Sequence, residues 1–250
     1  MAKYTHDTVV PFKDSNLGKK QQVAEMFDRI AFRYDFLNRF LSGGIDVHWR
    51  KRAIRELLPY HPETILDVAT GTADMAILMN RYFSGALITG IDISAGMLEI
   101  GRQKIARMKL DGHITLHSGD SEHIHFPDNS FDAVTVAFGI RNFENLEKGL
   151  GEMLRVLKPG GRLLVLEFSQ PKQTGFRHLY QLYMRLVASP IGRLLSHNRE
   201  AYQYLDKSVR AFPEGRQLVN ILDKTGYTGT SHSPLSLGIC TVYQGAKILL

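Results

Sequence analysis

At 250 residues and 44% hydrophobic, with no run of 18 apolar residues, the chain can bury one large core and is too polar to span a bilayer. A single cysteine, Cys240, excludes an internal disulfide and a cysteine metal cluster, and the polar stretch Met1 to Gln22 excludes a signal peptide; a cytoplasmic protein is expected. The net charge of +6 is unevenly spread: residues 1–55 hold 11 Lys/Arg against 6 Asp/Glu, 56–171 hold 10 against 15, and 172–216 hold 8 against 3.

In chain order, Val23 to Leu41 is apolar at partly helical spacing and predicts two short helices, broken near Tyr34 to Asn38 and stopped by Gly43-Gly44. Asp46 is placed to cap the next helix, which runs through Trp49 and Ile54 to Leu58 before Pro59. Residues 1–60 thus read as a helical lid ahead of the first core strand. Strand and helix then alternate: Thr64 to Val68, Ala73 to Phe83, Ala86 to Ile91, Ala95 to Lys109, and His113 to Ser118. A loop (119–129) leads to strand Phe131 to Ala137, helix Glu144 to Leu157, the turn Lys158-Pro159-Gly160-Gly161, and strand Arg162 to Phe168. Alternation of this kind predicts an α/β fold: a doubly wound, mostly parallel, Rossmann-like sheet with right-handed crossovers. Residues 172–212 break the pattern and read as a helical insertion, interrupted by Pro190 and Gly192. A helix (Glu214 to Thr225) and two apolar runs, Tyr227 to Ser231 and Ile239 to Ile248, close the chain, the runs as an antiparallel hairpin at the sheet edge. The whole reads as one domain, 1–250.

A pocket follows from three strand ends. The first strand finishes in Leu66-Asp67-Val68-Ala69-Thr70-Gly71-Thr72-Ala73, and the second delivers Asp92 at its carboxyl end, where an acid can accept both hydroxyls of a ribose. A dinucleotide turn carries three glycines; the matching positions here are Ala69, Gly71 and Ala73. Asp67 would repel a pyrophosphate but suit a cationic ligand bearing an amino group. S-adenosylmethionine is therefore expected in place of a nicotinamide cofactor. The third strand adds Asp120 and Ser121, an acid and a hydroxyl suited to the adenine amino group. Asp67, Gly71, Thr72, Asp92, Asp120 and Ser121 are expected to converge on one crevice outside the carboxyl ends of the strands. His113, His117, His123 and His125 cluster in sequence but divide between a strand and a loop, so no metal site is expected.

Longer segments carry a closer likeness. Phe27 to Asn38 (FDRIAFRYDFLN), Asp46 to Arg50 (DVHWR), Ile91 to Met97 (IDISAGM), Phe126 to Asp132 (FPDNSFD), Phe138 to Phe143 (FGIRNF), Arg155 to Gly161 (RVLKPGG), Leu166 to Phe168 (LEF) and Tyr204 to Phe212 (YLDKSVRAF) resemble the UbiE/MenG quinone C-methyltransferases, class I enzymes that use S-adenosylmethionine. The likeness covers nearly the whole chain after residue 20. It implies methyl transfer to a ring carbon of a polyprenylated quinol: demethylmenaquinol in menaquinone synthesis or, as the alternative, 2-polyprenyl-6-methoxy-1,4-benzoquinol in ubiquinone synthesis. It also carries over Thr72, Asp92, Asp120 and Ser121 as cofactor residues. The chain departs from the family at Ala137, where a serine is frequent, so that position is not counted as a ligand.

A ring carbon attacks a sulfonium methyl only when its ring is electron-rich, so the acceptor is expected as the reduced quinol. Positioning the two reactants can supply on the order of 7–11 kcal/mol. Arg141 and Asn142, after the fourth strand, are the candidates for orienting the quinol oxygen; an arginine stays protonated and so acts electrostatically. Tyr34 and Asp35 of the lid are further candidates for orienting the acceptor. The basic, aromatic flanks suit a polyprenyl tail and an anionic bilayer, and peripheral attachment to the inner face of the cytoplasmic membrane is expected, with residues 23–55 and 172–212 lining a groove. The same basic, aromatic composition admits a rival, a non-catalytic RNA-binding module, against which the acidic crevice argues. A nucleic-acid partner is therefore not expected; self-association stays open.

Overall fold

The structure is a computed structural model, described for residues 4–171 and 199–249; side chains of residues 37, 41, 199 and 202 are not described. Seven strands, β1 Thr64–Val68, β2 Leu87–Asp92, β3 Ile114–Ser118, β4 Phe131–Ala137, β5 Leu157–Phe168, β6 Thr228–Leu235 and β7 Cys240–Ala246, form one sheet in the order β3-β2-β1-β4-β5-β7-β6. The first five are parallel, and β7 pairs antiparallel with both β5 and β6. The expected doubly wound sheet with an antiparallel edge is thus present. Buried strands alternate their side chains between two cores. Leu164 and Leu166 face the side covered by α2 (Ile45–Arg55), α3 (Asp74–Tyr82) and α4 (Ala95–Arg107), while Leu163 and Val165 face α5 (Leu146–Val156) and α7 (Arg216–Thr225). Because both faces are covered, the strands are apolar throughout, as parallel strands are.

Three sequence expectations are corrected. Residues Lys19–Leu41 form one helix, α1, not two. No Gly or Pro lies inside it, and the irregular apolar spacing arises because the helix has two apolar faces. Val23 and Met26 are buried against Ala201 and Tyr204 of α6 (Arg199–Ala211), whereas Phe32, Phe36 and Phe40 lie 90%, 57% and 42% exposed. Asp46 does not cap α2: Gly44, at φ 79°, starts that helix, and Asp46 sits inside its first turn, taking hydrogen bonds from Ser42 and Arg50. The Lys158–Gly161 turn is incorporated in β5, as an irregularity between the Phe131↔Leu157 and Ala133↔Arg162 pairs. Of the expected insertion, α6 is described and residues 172–198 lie outside the described residues.

Candidate active site

The carboxyl ends of β1, β2, β3 and β4 open into one crevice, roofed by α1. The β1 turn needs unusual backbone: Ala69, Gly71 and Ala73 all have positive φ (53°, 56° and 64°). Gly139, in the turn after β4, presses against it so closely that a Cβ there would stand 2.5 Å from the Ala69 Cβ. Small residues at both places let the backbone itself form the crevice wall.

Of the expected residues, Gly71, Asp92, Asp120, Ser121 and Asn142 line the crevice; Asp67, Thr72 and Arg141 do not. Asp92 receives the Gly71 N–H on one oxygen and the Ser94 N–H on the other, each at 2.8 Å. Burial pushes its pKa up to about 6 against the pull of those backbone hydrogen bonds. Two of roughly four lone-pair sites remain for a ligand's hydroxyls. Asp120 bonds Lys20 Nζ of α1 at 2.6 Å and its own loop at Glu122 N, 2.9 Å. Burial raises its pKa, but these bonds outweigh it and hold the group below the usual carboxylate range.

Asp67 is 1% exposed and spends both oxygens on hydroxyls, Thr135 Oγ1 at 2.6 Å and Thr70 Oγ1 at 2.7 Å. The expectation that it meets a cationic ligand gives way to a brace that ties the β1 turn to β4. Burial pushes it, too, up to about 6, the two hydroxyls pulling the other way. The Thr72 hydroxyl is likewise engaged: it donates to Asp35 of α1 at 2.6 Å and accepts from Lys104 of α4 at 3.0 Å. Lys104 also bonds Asp35 and Asp74, so Asp35 is drawn into this latch and away from the crevice. Arg141 is 5% exposed and donates to Glu167 Oε1 at 2.8 Å and to the Phe138 carbonyl, with Phe168 beneath its guanidinium. Asn142 presents a buried Oδ1 with no hydrogen-bond partner.

Sequence reasoning missed four contributors. Lys20, Asp28 and Lys104 fasten α1 to the three loops, Asp28 by accepting from Ser94 Oγ (2.6 Å) and Gly96 N (2.8 Å) at the start of α4. Glu167 sits fully buried at the end of β5 and fixes Arg141. Asp28 and Glu167 lie inside the quoted FDRIAFRYDFLN and LEF segments, the signal that could have found them.

The crevice is open to solvent and encloses about 660 Å³ of empty space counted to its mouth. Lys20, Val23, Phe27 and Tyr34 of α1 line it from above. A glycine-lined backbone wall, an acid after β2 with spare acceptor capacity and an unpartnered amide oxygen fit an adenosyl ligand with a polar neighbour. This sheet and this crevice define a class I S-adenosylmethionine-dependent methyltransferase.

The comparisons carry the assignment further. The model of the ubiE/COQ5 methyltransferase family matches residues 15–247, and the chain belongs to that family. It is 44% identical over 245 residues to the demethylmenaquinone methyltransferase of Bacteroides fragilis, covering 98% of this chain and 99% of that one. It is 48% identical over 231 residues to the ubiquinone/menaquinone biosynthesis C-methyltransferase UbiE of Geotalea daltonii (92% and 97%). Among solved structures it is similar in fold to a SAM-dependent methyltransferase from Thermotoga maritima (TM-score 0.64, 20% identity, 90% and 99% coverage). A similar likeness holds to Haemonchus contortus phosphoethanolamine N-methyltransferase 2 (TM-score 0.67, 17% identity, 95% and 61%). An enzyme of this family displaces the RNA-binding-module reading.

Proposed function

We propose that this enzyme transfers a methyl group from S-adenosylmethionine to a ring carbon of demethylmenaquinol, giving menaquinol. The observation that carries the reading is the crevice, which Asp92 and Asn142 both line, the latter with an unpartnered Oδ1. The full-length likeness to a demethylmenaquinone methyltransferase favours the naphthoquinol nucleus. The second reading, methylation of the methoxybenzoquinol, rests on the relative whose name covers both pathways.

S-adenosylmethionine supplies an electrophilic methyl on a sulfonium sulfur. Asp92 would accept the ribose hydroxyls, the Gly71 turn would lie against the adenosyl group, and Asp120 with Ser121 would meet the adenine. Asp67 and Thr72 act behind the wall, the one bracing the turn and the other holding α1. Asn142 orients the acceptor, and the Arg141 charge, fixed by Glu167, favours electron density on the quinol oxygen. Roofing by α1 removes water, so charge neutralisation between an anionic ring and a cationic sulfonium meets little competing solvation.

The outer face of α1 supports work at a membrane surface. Phe32, Phe36 and Phe40 are spaced four residues apart beside Arg29, Arg33 and Arg39, an apolar stripe with cationic flanks suited to anionic headgroups. A polyprenyl tail gains about 0.8 kcal/mol per buried CH₂ by staying in lipid, which supports an encounter with the acceptor at a bilayer surface. Among the described residues no helix is long and apolar enough to cross a membrane. The test supplies labelled S-adenosylmethionine with reduced polyprenyl naphthoquinol or methoxybenzoquinol. Label on the naphthoquinol ring carbon is expected, and label only on the benzoquinol reverses the assignment.

A further inference from the structure

Near the Asn142 end of the crevice lie three buried polar atoms without hydrogen-bond partners: Asn142 Oδ1, Arg141 Nε and the Tyr204 hydroxyl. Folded proteins pair nearly all such atoms, and each orphan costs about 1–3 kcal/mol. Three in one neighbourhood call for a common explanation. Asn142 and Arg141 belong to the short 3-10 turn Ile140–Asn142 after β4, and α6 packs on that turn. Tyr204, only 3% exposed, comes from α6 and shares an apolar cluster with Val23, Phe27 and Ile93, all three of which line the crevice. The charges of Arg141 and Glu167 both reach its hydroxyl, which burial keeps protonated and therefore able to donate. Nothing in the YLDKSVRAF segment explains a phenol here on packing grounds alone, because a phenylalanine would fill the same space without an unsatisfied oxygen.

The geometry points to a binding site for a phenolic oxygen of the acceptor, in which Tyr204 and Arg141 Nε donate to that oxygen and Asn142 Oδ1 accepts its proton-bearing form. Tyr204 is thus an acceptor-binding residue that selects the reduced, hydroxylated ring. The inference deepens the proposed function and rests on it for the identity of the acceptor. It also requires the α1 side chains at the crevice to shift when the ring arrives, since Val23 and Phe27 pack in the cluster that holds Tyr204 and also line the crevice, which Tyr204 itself does not.

The test has two arms, both without oxygen: binding in the presence of S-adenosylhomocysteine, and turnover with S-adenosylmethionine. Calorimetric binding of 2-methyl-1,4-naphthohydroquinone is compared with that of its dimethyl ether, for the unaltered enzyme and for Tyr204→Phe. The diol is expected to bind about tenfold or more tightly than the ether, and Tyr204→Phe should shrink that ratio several-fold. The variant should keep S-adenosylhomocysteine affinity within twofold, and its melting temperature should hold or rise, because an orphan hydroxyl has been removed. Equal binding of diol and ether by the unaltered enzyme overturns the inference without reference to any variant. So does a Tyr204→Phe enzyme that keeps the full diol preference. In the second arm, methyl transfer to the quinol by Tyr204→Phe should show a kcat/KM about tenfold lower. If no quinol is methylated by the unaltered enzyme while the diol preference stands, the proposed function fails and the phenol site survives.

Discussion

Replacing Asp92 with asparagine separates two roles of one carboxylate. Its pKa is raised from 3.8 to about 6, so the folded protein holds the proton more tightly than the unfolded chain does. Stability from this group is therefore fullest below about 4 and is lost as pH rises from about 4 to 6. At about 1.4 kcal/mol per unit, the ionised group costs about 3 kcal/mol at pH 8. Asparagine carries no such cost, but it has one acceptor oxygen for the two N–H groups, of Gly71 and Ser94, that the carboxylate satisfies. Losing one of them costs about 1–3 kcal/mol, so Asp92→Asn should leave stability at pH 8 within about 2 kcal/mol of the unaltered protein. The Asp92 share of the stability change between pH 4 and 6, about 3 kcal/mol, should disappear, while Asp67 and, in the opposite sense, His6 keep theirs. Affinity for the methyl donor has no such compensation. Charge-assisted bonds of about 1.5–3 kcal/mol each are lost, so S-adenosylhomocysteine should bind roughly 10- to 100-fold more weakly at pH 8. Urea unfolding at pH 4.5 and pH 8, with calorimetric titration at pH 8, measures both. Binding within twofold of the unaltered enzyme would refute the role given to Asp92.

Other perturbations have equally definite outcomes. Glu167→Gln strands the Arg141 guanidinium in the interior and should cost about 3 kcal/mol, read as a lower urea midpoint at unchanged slope. Gly139→Ala forces a methyl into the Ala69 side chain and should destabilise by about 1–3 kcal/mol while weakening S-adenosylhomocysteine binding; unchanged values would show that the two turns can part without consequence. Phe32→Ser with Phe36→Ser should abolish flotation with anionic vesicles at low salt while leaving the melting temperature nearly unchanged, both rings being exposed. Lys104→Met removes the cation joining Asp35, Asp74 and Thr72, and should raise the hydrogen-exchange rate of α1 amides; unaltered exchange would mean the latch does not hold the helix.

The sheet was readable because its strands are short buried apolar runs separated by helices of clear period, and the acids that follow β2 and β3 fall at their carboxyl ends by chain order alone. The crevice was legible to the same depth: Gly71, Asp92, Asp120, Ser121 and Asn142 all face it. What stayed hidden depends on direction and distance. Asp67 and Asp92 are both strand-terminal acids, yet Thr70 and Thr135 turn the first inward, and Thr135 lies on a different strand. Chain order alone points Thr72 at a ligand, but its hydroxyl is claimed by Asp35, 37 positions away. The pairing of Arg141 with Glu167 and the approach of Tyr204 cross strands and helices that no local pattern connects. α1 was divided in two because an exposed aromatic face obscures its helical period.

That helix has a kinetic meaning. It is moored through Lys20 to Asp120, through Asp28 to Ser94 and through Asp35 to Thr72, one berth on each loop of the nucleotide cleft. If spent cofactor leaves past this helix, these berths would have to part for it. Because the Lys20–Asp120 mooring is partly wetted, raising the ionic strength should loosen this berth first.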